Sequence, residues 1–279
     1  MPRSWYGLIS MCGILGYVGS ILFSIDTCLD ILKALEVEQL PIESSPVGGH
    51  GAGLMVYNGS KILLEKVGGN GFSPADRLRD VIHNNWRINF SRVILGHVRR
   101  ASKVFLDSVP FSECTQPYMV NCLGEHAIVS VHNGFLRNYK ELRAKFKLNH
   151  KFESEAKFFI DSEVFPHLLE ELIQEYGDNK ETASILWDMI DGNNTVALMV
   201  FRDDKISLYL LHKGATRGLA VWSGPNGEVV FCTRSYLVKR LASSFLVENN
   251  FELKEIVKPR VEGDVIKYFI FDKKYLFGA

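Results

Sequence analysis

The chain has 279 residues, of which 47% are hydrophobic, 11% aromatic and 23% charged. These proportions exclude a disordered chain, and a chain of this length can bury roughly three quarters of its unfolded surface. The 32 basic and 32 acidic side chains give a formal charge of zero. Because a phosphate backbone is bound by an excess of basic charge, this balance argues against nucleic acid as a partner.

In the first half of the chain, short apolar runs typical of strands alternate with segments whose apolar residues follow helical spacing. Glycines flank a predicted strand over 13–18, and a helix is predicted over 26–40, capped by Asp26 or Thr27 and stopped by Pro41. Asn58-Gly59 predicts a hairpin between strands 52–57 and 61–67. Ser73-Pro74 opens a helix over 73–89, and strands follow over 92–97 and 127–131.

The second half contains helices first and strands later. Helices are predicted over 138–147, 161–176 and 181–190, and the later elements are strands 195–201, 205–212, 219–222 and 228–232, helix 236–243 and strand 264–271. Sequence repeats and Pro/Ser-rich linkers are absent. Many antiparallel strands mixed with helices predict one layered α+β domain.

The cysteines and histidines give no spacing typical of a metal site. The five cysteines lack a Cys-x-x-Cys pair and are Cys12, Cys28, Cys114, Cys122 and Cys232. An odd number at wide spacing argues against a disulfide framework and a zinc ribbon, and favours buried thiols in a reducing cytoplasm. Five histidines without paired spacing are interpreted as structural or surface residues: His83, His126, His150, His167 and His212. We therefore expect no metal and no organic cofactor.

Residues 5–25 carry no charge, which leaves a targeting segment open as an alternative. About 20 apolar residues can span a bilayer, and a cysteine after an apolar run is also typical of a lipoprotein signal. Four glycines interrupt this stretch, however, and Met11 stands before Cys12, where signal cleavage needs a small side chain. We expect no membrane attachment.

Four short segments occur in an informative order. They are 11–16 (MCGILG), 96–102 (GHVRRAS), 132–139 (HNGFLRNY) and 160–164 (IDSEV). Together they resemble the class II glutamine amidotransferases, whose glutaminase domain belongs to the N-terminal-nucleophile hydrolases. The resemblance extends over roughly 12–271. It implies a four-layer αββα sandwich over 12–279, with 1–11 a leader, a propeptide or a stretch upstream of a true start at Met11.

Cys12 is the candidate nucleophile. Removal of the residues before it would give Cys12 a free α-amine, which titrates near pH 8 and can accept the thiol proton. The uncharged, aromatic character of a retained leader predicts that Trp5, Tyr6 and Leu8 lie in or across the glutamine pocket. The alternative interpretation of Cys12 is a buried structural thiol.

Asn133-Gly134, at the end of a predicted strand, is a candidate oxyanion hole. The Asn133 side-chain amide and the Gly134 backbone N–H are neutral donors that can converge on one oxygen. Without the other segments, the same dipeptide would indicate an ordinary turn.

The resemblance also assigns substrate-binding residues. It implies that Arg99 clamps the α-carboxylate of glutamine, that Ser102 contributes a hydroxyl and that Asp161 binds the substrate ammonium; Asp161 could instead be a helix N-cap. The family's usual Arg-Trp-Ala-Thr-His is Arg-Arg-Ala-Ser-Lys here, with Arg100 and Lys103 at the aromatic and imidazole positions. This departure leaves the acceptor and the shape of the pocket open.

The function that this resemblance implies is hydrolysis of the glutamine side-chain amide, without metal or organic cofactor. Because such modules are usually fused to a synthase, ammonia would pass to a separate synthase partner or be released by a free-standing amidase. Two alternatives remain: hydrolysis of a larger γ-glutamyl amide, and a non-catalytic relative that binds glutamine or a partner.

Overall fold

The computed structural model describes residues 12–278. Twelve strands lie in this range: β1 (Gly13–Ser24), β2 (Gly51–Tyr57), β3 (Ile62–Gly68), β4 (Phe90–Val98), β5 (Tyr118–Val120), β6 (Ala127–Leu136), β7 (Gly192–Phe201), β8 (Lys205–Lys213), β9 (Leu219–Ser223), β10 (Val229–Cys232), β11 (Glu252–Val257) and β12 (Val265–Asp272). The same range holds eight α-helices: α1 (Ile25–Val37), α2 (Pro74–Asn85), α3 (Tyr139–Lys145), α4 (Val164–Tyr176), α5 (Lys180–Met189), α6 (Ser235–Leu241), α7 (Ser243–Glu248) and α8 (Lys273–Phe277).

The strands form two antiparallel sheets. The first sheet has seven strands in the order β11-β9-β10-β1-β4-β2-β3, and the second has five in the order β12-β8-β7-β6-β5. In the first sheet β1 is central, with β10 on one side and β4 on the other. The part of the uncharged stretch that β1 contains is thus a strand inside a sheet. Its apolar side chains are largely buried because alternate side chains of β1 face two different apolar layers.

Apolar side chains divide the molecule into four layers. One core fills the space between the sheets and includes Ile14 and Leu95 from the first sheet and Val131, Met199 and Leu208 from the second. A second core packs α1, α2, α6 and α7 on the outer face of the first sheet. A third packs α3, α4 and α5 on the outer face of the second sheet. This αββα arrangement confirms the predicted α+β four-layer fold.

Several element boundaries differ from the sequence predictions. Ser24 caps α1 by accepting from the Thr27 N–H at 3.3 Å, so neither Asp26 nor Thr27 is the cap. The expected helix over 161–176 begins as an α-helix only at Val164, after a 3₁₀ turn over Asp161–Glu163. Asp161 is therefore not the α-helix N-cap, because its carboxylate accepts from the Leu136 N–H instead.

Other differences concern short or exposed elements. The predicted helix over 236–243 is two helices, α6 and α7, which meet at Ala242. Strands β5 and β11 were not predicted, because β5 has three residues and β11 exposes most of its side chains. Within residues 12–278, no helix is both long enough and apolar enough to cross a membrane.

Candidate active site

Cys12 lies immediately before β1, at the end of the sheet where β4 stops. Gly13 pairs with Val98 across the antiparallel β1–β4 ladder, which brings Cys12 against the residues that follow β4. The Cys12 Sγ accepts from the Arg100 N–H at 3.3 Å and lies 3.7 Å from the Arg100 carbonyl oxygen. The thiol is thus fixed by backbone, and its residue is only 8% exposed.

The surroundings of the thiol keep it protonated at neutral pH. Burial raises the pKa of Cys12 to about 11, although the Arg100 N–H and the positive charges of Arg99 and Arg217 act in the opposite direction. Among residues 12–278, the Sγ makes hydrogen bonds to Arg100 alone. A proton acceptor for this thiol must therefore come from a group other than the described side chains.

A small cavity opens beside Cys12. It collects five of the six predicted site residues, and its lining consists of Cys12, Arg99, Arg100, Ala101, Ser102, Phe105, Gln116, Gly134, Phe135, Ile160, Asp161 and Ser162. The sixth predicted residue, Asn133, is fully buried next to Gly134 on β6. Tertiary structure therefore joins segments that are up to 150 residues apart.

The Asn133 side chain is a buried amide without a partner. Neither its Oδ1 nor its Nδ2 has a hydrogen-bond partner among residues 12–278. Side chains alternate along a strand, and Val129 and Val131 belong to the core between the sheets, so Asn133 faces the same side, toward the first sheet. An unsatisfied buried amide destabilises a fold by about 1–3 kcal/mol, so its retention requires an explanation, of which a catalytic role is one.

The Gly134 backbone N–H points toward the cavity edge of β6. The N–H groups of His132 and Leu136 both point to that edge, where they donate to Gln116 Oε1 and to Asp161 Oδ2. Because N–H directions alternate along a strand, the Gly134 N–H lies between them on the same edge. A Cβ at position 134 would lie 2.0 Å from the Asn193 carbonyl oxygen, so only glycine fits there.

Arg99 is buried at 4% exposure and held in place by Ser108. Its Nη1 donates to the Ser108 carbonyl oxygen at 3.1 Å, and its Nη2 donates to the Ser108 hydroxyl. The 3₁₀ turn over Lys103–Ser108 brings Ser108 to this position. Since each terminal guanidinium nitrogen carries two hydrogens, each retains one donor for a carboxylate.

Asp161 lines the same cavity as the Arg99 cation. Its Oδ2 accepts from the Leu136 N–H at 2.9 Å, and its Oδ1 is 3.5 Å from the Ser162 hydroxyl. Burial raises the pKa of Asp161 to about 6, while these hydrogen bonds and the charge of Arg99 lower it. Above that pKa the carboxylate is ionised and can attract a cation.

The segment after Arg99 contains the departures from the family pattern. The Ser102 hydroxyl is buried without a partner among the described residues. Arg100 is half-buried and donates from Nη1 to the Gly48 carbonyl oxygen at 3.2 Å, whereas Lys103 is exposed. Ser102 and Arg100 thus line the cavity, and Lys103 does not.

Sequence reasoning missed the polar network behind the site. His132 contacts Ser162 Oγ at 2.9 Å through Nδ1 and Asn194 Oδ1 at 3.0 Å through Nε2. Gln116 Nε2 donates to the His132 carbonyl oxygen at 3.2 Å. Burial lowers the pKa of His132 to about 3, so the ring is a neutral support for β6. His132 and Ser162 stood in the four segments, but nothing in the sequence singled out Gln116 or Asn194.

The predicted pocket residues Trp5, Tyr6 and Leu8 lie outside the described residues.

The fold and the cavity define a class of protein: an αββα sandwich with a cysteine at the start of a central strand, facing an amide and a glycine of the opposite sheet. A solved structure with this fold is the glutamine phosphoribosylpyrophosphate amidotransferase from Bacillus subtilis complexed with ADP and GMP. It superimposes with a TM-score of 0.54 at 18% identity, over 92% of this chain and 49% of that chain.

The sequence is also similar to curated proteins. It is 27% identical over 219 residues to glutamine–fructose-6-phosphate aminotransferase (isomerizing) of Pyrococcus horikoshii, covering 77% of this chain and 31% of that protein. It is 28% identical over 246 residues to the Helicobacter pylori enzyme of the same name, covering 86% of this chain and 35% of that protein. The chain thus spans about a third of these relatives. No protein-family model matches it. These similarities confirm the resemblance to class II glutamine amidotransferases.

Proposed function

We propose that this chain hydrolyses the side-chain amide of glutamine through Cys12 as an N-terminal nucleophile, releasing ammonia and glutamate. The observation that carries the proposal is the placement of the Cys12 thiol at a cavity lined by Arg99, Gly134 and Asp161, with the unpartnered Asn133 amide beside Gly134. The relatives whose names contain glutamine support the same substrate.

Activation in this proposal is the exposure of the Cys12 α-amine. While a residue precedes Cys12, its nitrogen is a peptide amide that cannot accept a proton near neutral pH. A free α-amino group has a pKa of about 7.7–8.0 and lies on the same residue as the thiol. Loss of residues 1–11, by processing or by translation from Met11 followed by methionine removal, therefore supplies the base that the described side chains do not.

The reaction then proceeds in two halves. The amine takes the thiol proton, Sγ attacks the amide carbon, and the oxyanion accepts hydrogen bonds from Asn133 Nδ2 and the Gly134 N–H. When the C–N bond breaks, the ammonium of Cys12 gives its proton to the leaving ammonia and a thioester remains. Water, deprotonated by the amine, attacks the thioester, and glutamate leaves as the thiol is restored.

Opposite charges in the cavity would orient the substrate. The free donors of Arg99 match a carboxylate in two-point geometry, and ionised Asp161 matches an ammonium group. Ser102 contributes a buried hydroxyl without a partner among the described residues. The two charges together select a substrate with a free α-carboxylate and a free α-ammonium group, and they direct its side chain toward Cys12.

A second candidate substrate is a larger γ-glutamyl amide. Half-buried Arg100 lines the cavity where the family carries an aromatic side chain, and its positive charge suits a different leaving group. With glutamine as substrate, the ammonia would pass to a separate synthase partner or be released by a free-standing amidase. All five cysteines are free thiols, which supports a cytoplasmic location.

The test compares two preparations by intact mass and by ammonia or amine release. One begins at Cys12, and the other retains residues 1–11. Only the first should turn over glutamine or a γ-glutamyl amide, and the Cys12→Ala variant should be inactive, whereas the Cys28→Ala control should remain active. A thiol-directed glutamine analogue should add one mass equivalent at Cys12.

Equal activity of the two preparations would contradict the amine as base. No turnover of any γ-glutamyl compound by protein that starts at Cys12, together with glutamine binding, would identify a non-catalytic relative. Preference for a larger amide over glutamine would select the second substrate.

A further inference from the structure

A second cluster of reactive side chains lies on the outer face of the second sheet, separate from the cavity at Cys12. It consists of Cys122, His150, His167 and Glu170, whose donor atoms all lie within 4.8 Å of one another. The first two belong to loops after β5 and after α3, and the other two lie on α4. Their sequence spacing gave no metal motif, because three separate segments contribute to the cluster.

We propose that these four residues bind one Zn²⁺ ion. Thiolate, imidazole and carboxylate are the ligands of tetrahedral zinc, with bond lengths of about 2.0–2.3 Å. In a tetrahedron with those bonds, two nitrogens are about 3.3 Å apart and a nitrogen and a sulfur about 3.6 Å apart. The geometry of the cluster can be compared with these values directly.

Three separations in the cluster match such a tetrahedron. The Nδ1 atoms of His150 and His167 are 3.1 Å apart, and Cys122 Sγ is 3.6 Å from the same His167 nitrogen. The distance from His150 Nδ1 to Glu170 Oε2 is 3.3 Å. Two imidazole nitrogens that approach this closely must share a proton or a cation, because their lone pairs repel each other.

The outer nitrogens of both imidazoles face carboxylates. His150 Nε2 is 3.2 Å from Glu171 Oε1, whereas His167 Nε2, 3.9 Å from Glu163 Oε1, makes no hydrogen bond among the described residues. At His150 the carboxylate holds the proton on Nε2 and leaves Nδ1 free as a metal ligand, which is the usual support of a zinc-bound histidine. Glu170 is likewise fixed, because its Oε1 accepts from the Leu123 N–H at 3.1 Å.

The ion would connect two loops to α4. Both histidines and Glu170 are buried, and Cys122 is half-buried, so the thiol lies on the route from solvent. The role is structural, because four protein ligands close the coordination sphere. The loop that contains His150 continues to Ser154. The Ser154 hydroxyl accepts from the Ile160 N–H at 3.1 Å, so this loop also contacts the residue before Asp161.

The test is a titration of the full-length Cys12→Ala variant, in which the active-site thiol cannot contribute. After treatment with a chelator, Co²⁺ should bind at one equivalent, with a thiolate charge-transfer band and the intense visible bands of tetrahedral cobalt. Zn²⁺ should displace it. Because the readout is spectral, it is independent of whether the chain hydrolyses glutamine.

Matched variants assign the ligands in the same background. Cys122→Ala should lose the charge-transfer band, whereas Cys114→Ala, which removes a buried thiol outside the cluster, should keep it. Glu171→Gln should weaken Zn²⁺ binding about 10–100-fold, whereas Glu175→Gln on the exposed part of α4 should not.

The proposal is overturned if Co²⁺ gives only octahedral spectra or binds without the thiolate band. It is equally overturned if Cys114→Ala loses the band together with Cys122→Ala. In either case, a proton shared between His150 and His167 accounts for the cluster.

Discussion

Asn133 and Arg99 differ in how far their polar groups are already partnered, and the proposed function assigns them to different stages of the reaction. The Asn133 amide is buried, without a partner among residues 12–278, whereas Arg99 already makes two hydrogen bonds to Ser108. A group that gains a partner only as the oxyanion forms stabilises the transition state selectively, whereas a group that binds the unreacting end of the substrate stabilises substrate and transition state alike.

Replacing Asn133 should therefore lower turnover more than binding. For Asn133→Ala and for the isosteric Asn133→Asp, which lacks the N–H donor, we expect kcat to fall about 10²–10³-fold with KM nearly unchanged. Steady-state kinetics of protein that starts at Cys12 provide the measurement. A large rise in KM at constant kcat would show that Asn133 binds substrate instead.

Arg99→Lys should show the opposite pattern. The ammonium keeps the positive charge but cannot offer two parallel donors to a carboxylate, so KM should rise while kcat changes little. Thermal unfolding is the control, since loss of the Ser108 bonds also lowers stability. Unaltered KM in a folded variant would exclude the carboxylate clamp.

Asp161 should introduce a pH dependence into substrate binding. Burial raises its pKa to about 6, and only the ionised carboxylate attracts the substrate ammonium. KM should therefore be constant above that pKa and rise toward tenfold per pH unit below it, as the carboxylate is protonated. Asp161→Asn should have a higher KM at neutral pH, without this inflection. An identical inflection in the variant would assign the titration to another group.

At the scale of elements, the segment before α4 determines where Asp161 lies. Glu163, at the end of the 3₁₀ turn, is buried, and its two oxygens accept from the Glu153 N–H at 2.6 Å and the Ser154 N–H at 2.9 Å. These bonds tie the loop over 150–160 to the start of α4. The turn and the loop therefore act as one support for the cavity.

Glu163→Gln should weaken that support. The amide retains one acceptor oxygen, so one charge-assisted bond is lost and we expect a destabilisation of about 1.5–3 kcal/mol. The control is Glu155→Gln, because among residues 12–278 Glu155 makes only a surface ion pair with Arg143, and its replacement should change stability by less than about 1 kcal/mol. Urea unfolding of both variants gives the measurement. Equal effects would contradict the supporting role.

At the scale of the whole molecule, the core between the sheets aligns the two halves of the site. Cys12 and Arg99 come from the first sheet, and Asn133 and Gly134 come from the second. Their relative positions therefore depend on how the inner faces of the two sheets pack. Substitutions that weaken this core should therefore lower both the free energy of unfolding and the activity.

Two methionines provide a matched test of that core. Met199 is fully buried between the sheets, whereas Met119 on β5 is 49% exposed. Met199→Ala should reduce the free energy of unfolding by about 2–5 kcal/mol through lost apolar burial and the cavity left behind. Met119→Ala should change it by less than about 0.5 kcal/mol. Similar midpoints of denaturant unfolding for the two variants would contradict the assignment of the core.

Local pattern in the sequence determined most of the elements and the chemistry of the candidate nucleophile. Alternating apolar residues, the Asn58-Gly59 turn and the Ser73 cap act within a few positions of the chain, so they can be read without knowing the fold. The order of the four segments likewise indicated the family and the αββα layers. Short β5 and exposed β11 lacked such local patterns and were missed.

Only the tertiary structure decided which distant groups meet. The pairing of Gly13 with Val98 places Cys12 against Arg100, and the packing of α4 brings His150 and His167 together. It also decided that Asp161 accepts from Leu136 rather than capping a helix. Contacts of this kind depend on strand register and layer packing, which are set by the whole core and leave no fixed spacing in the sequence.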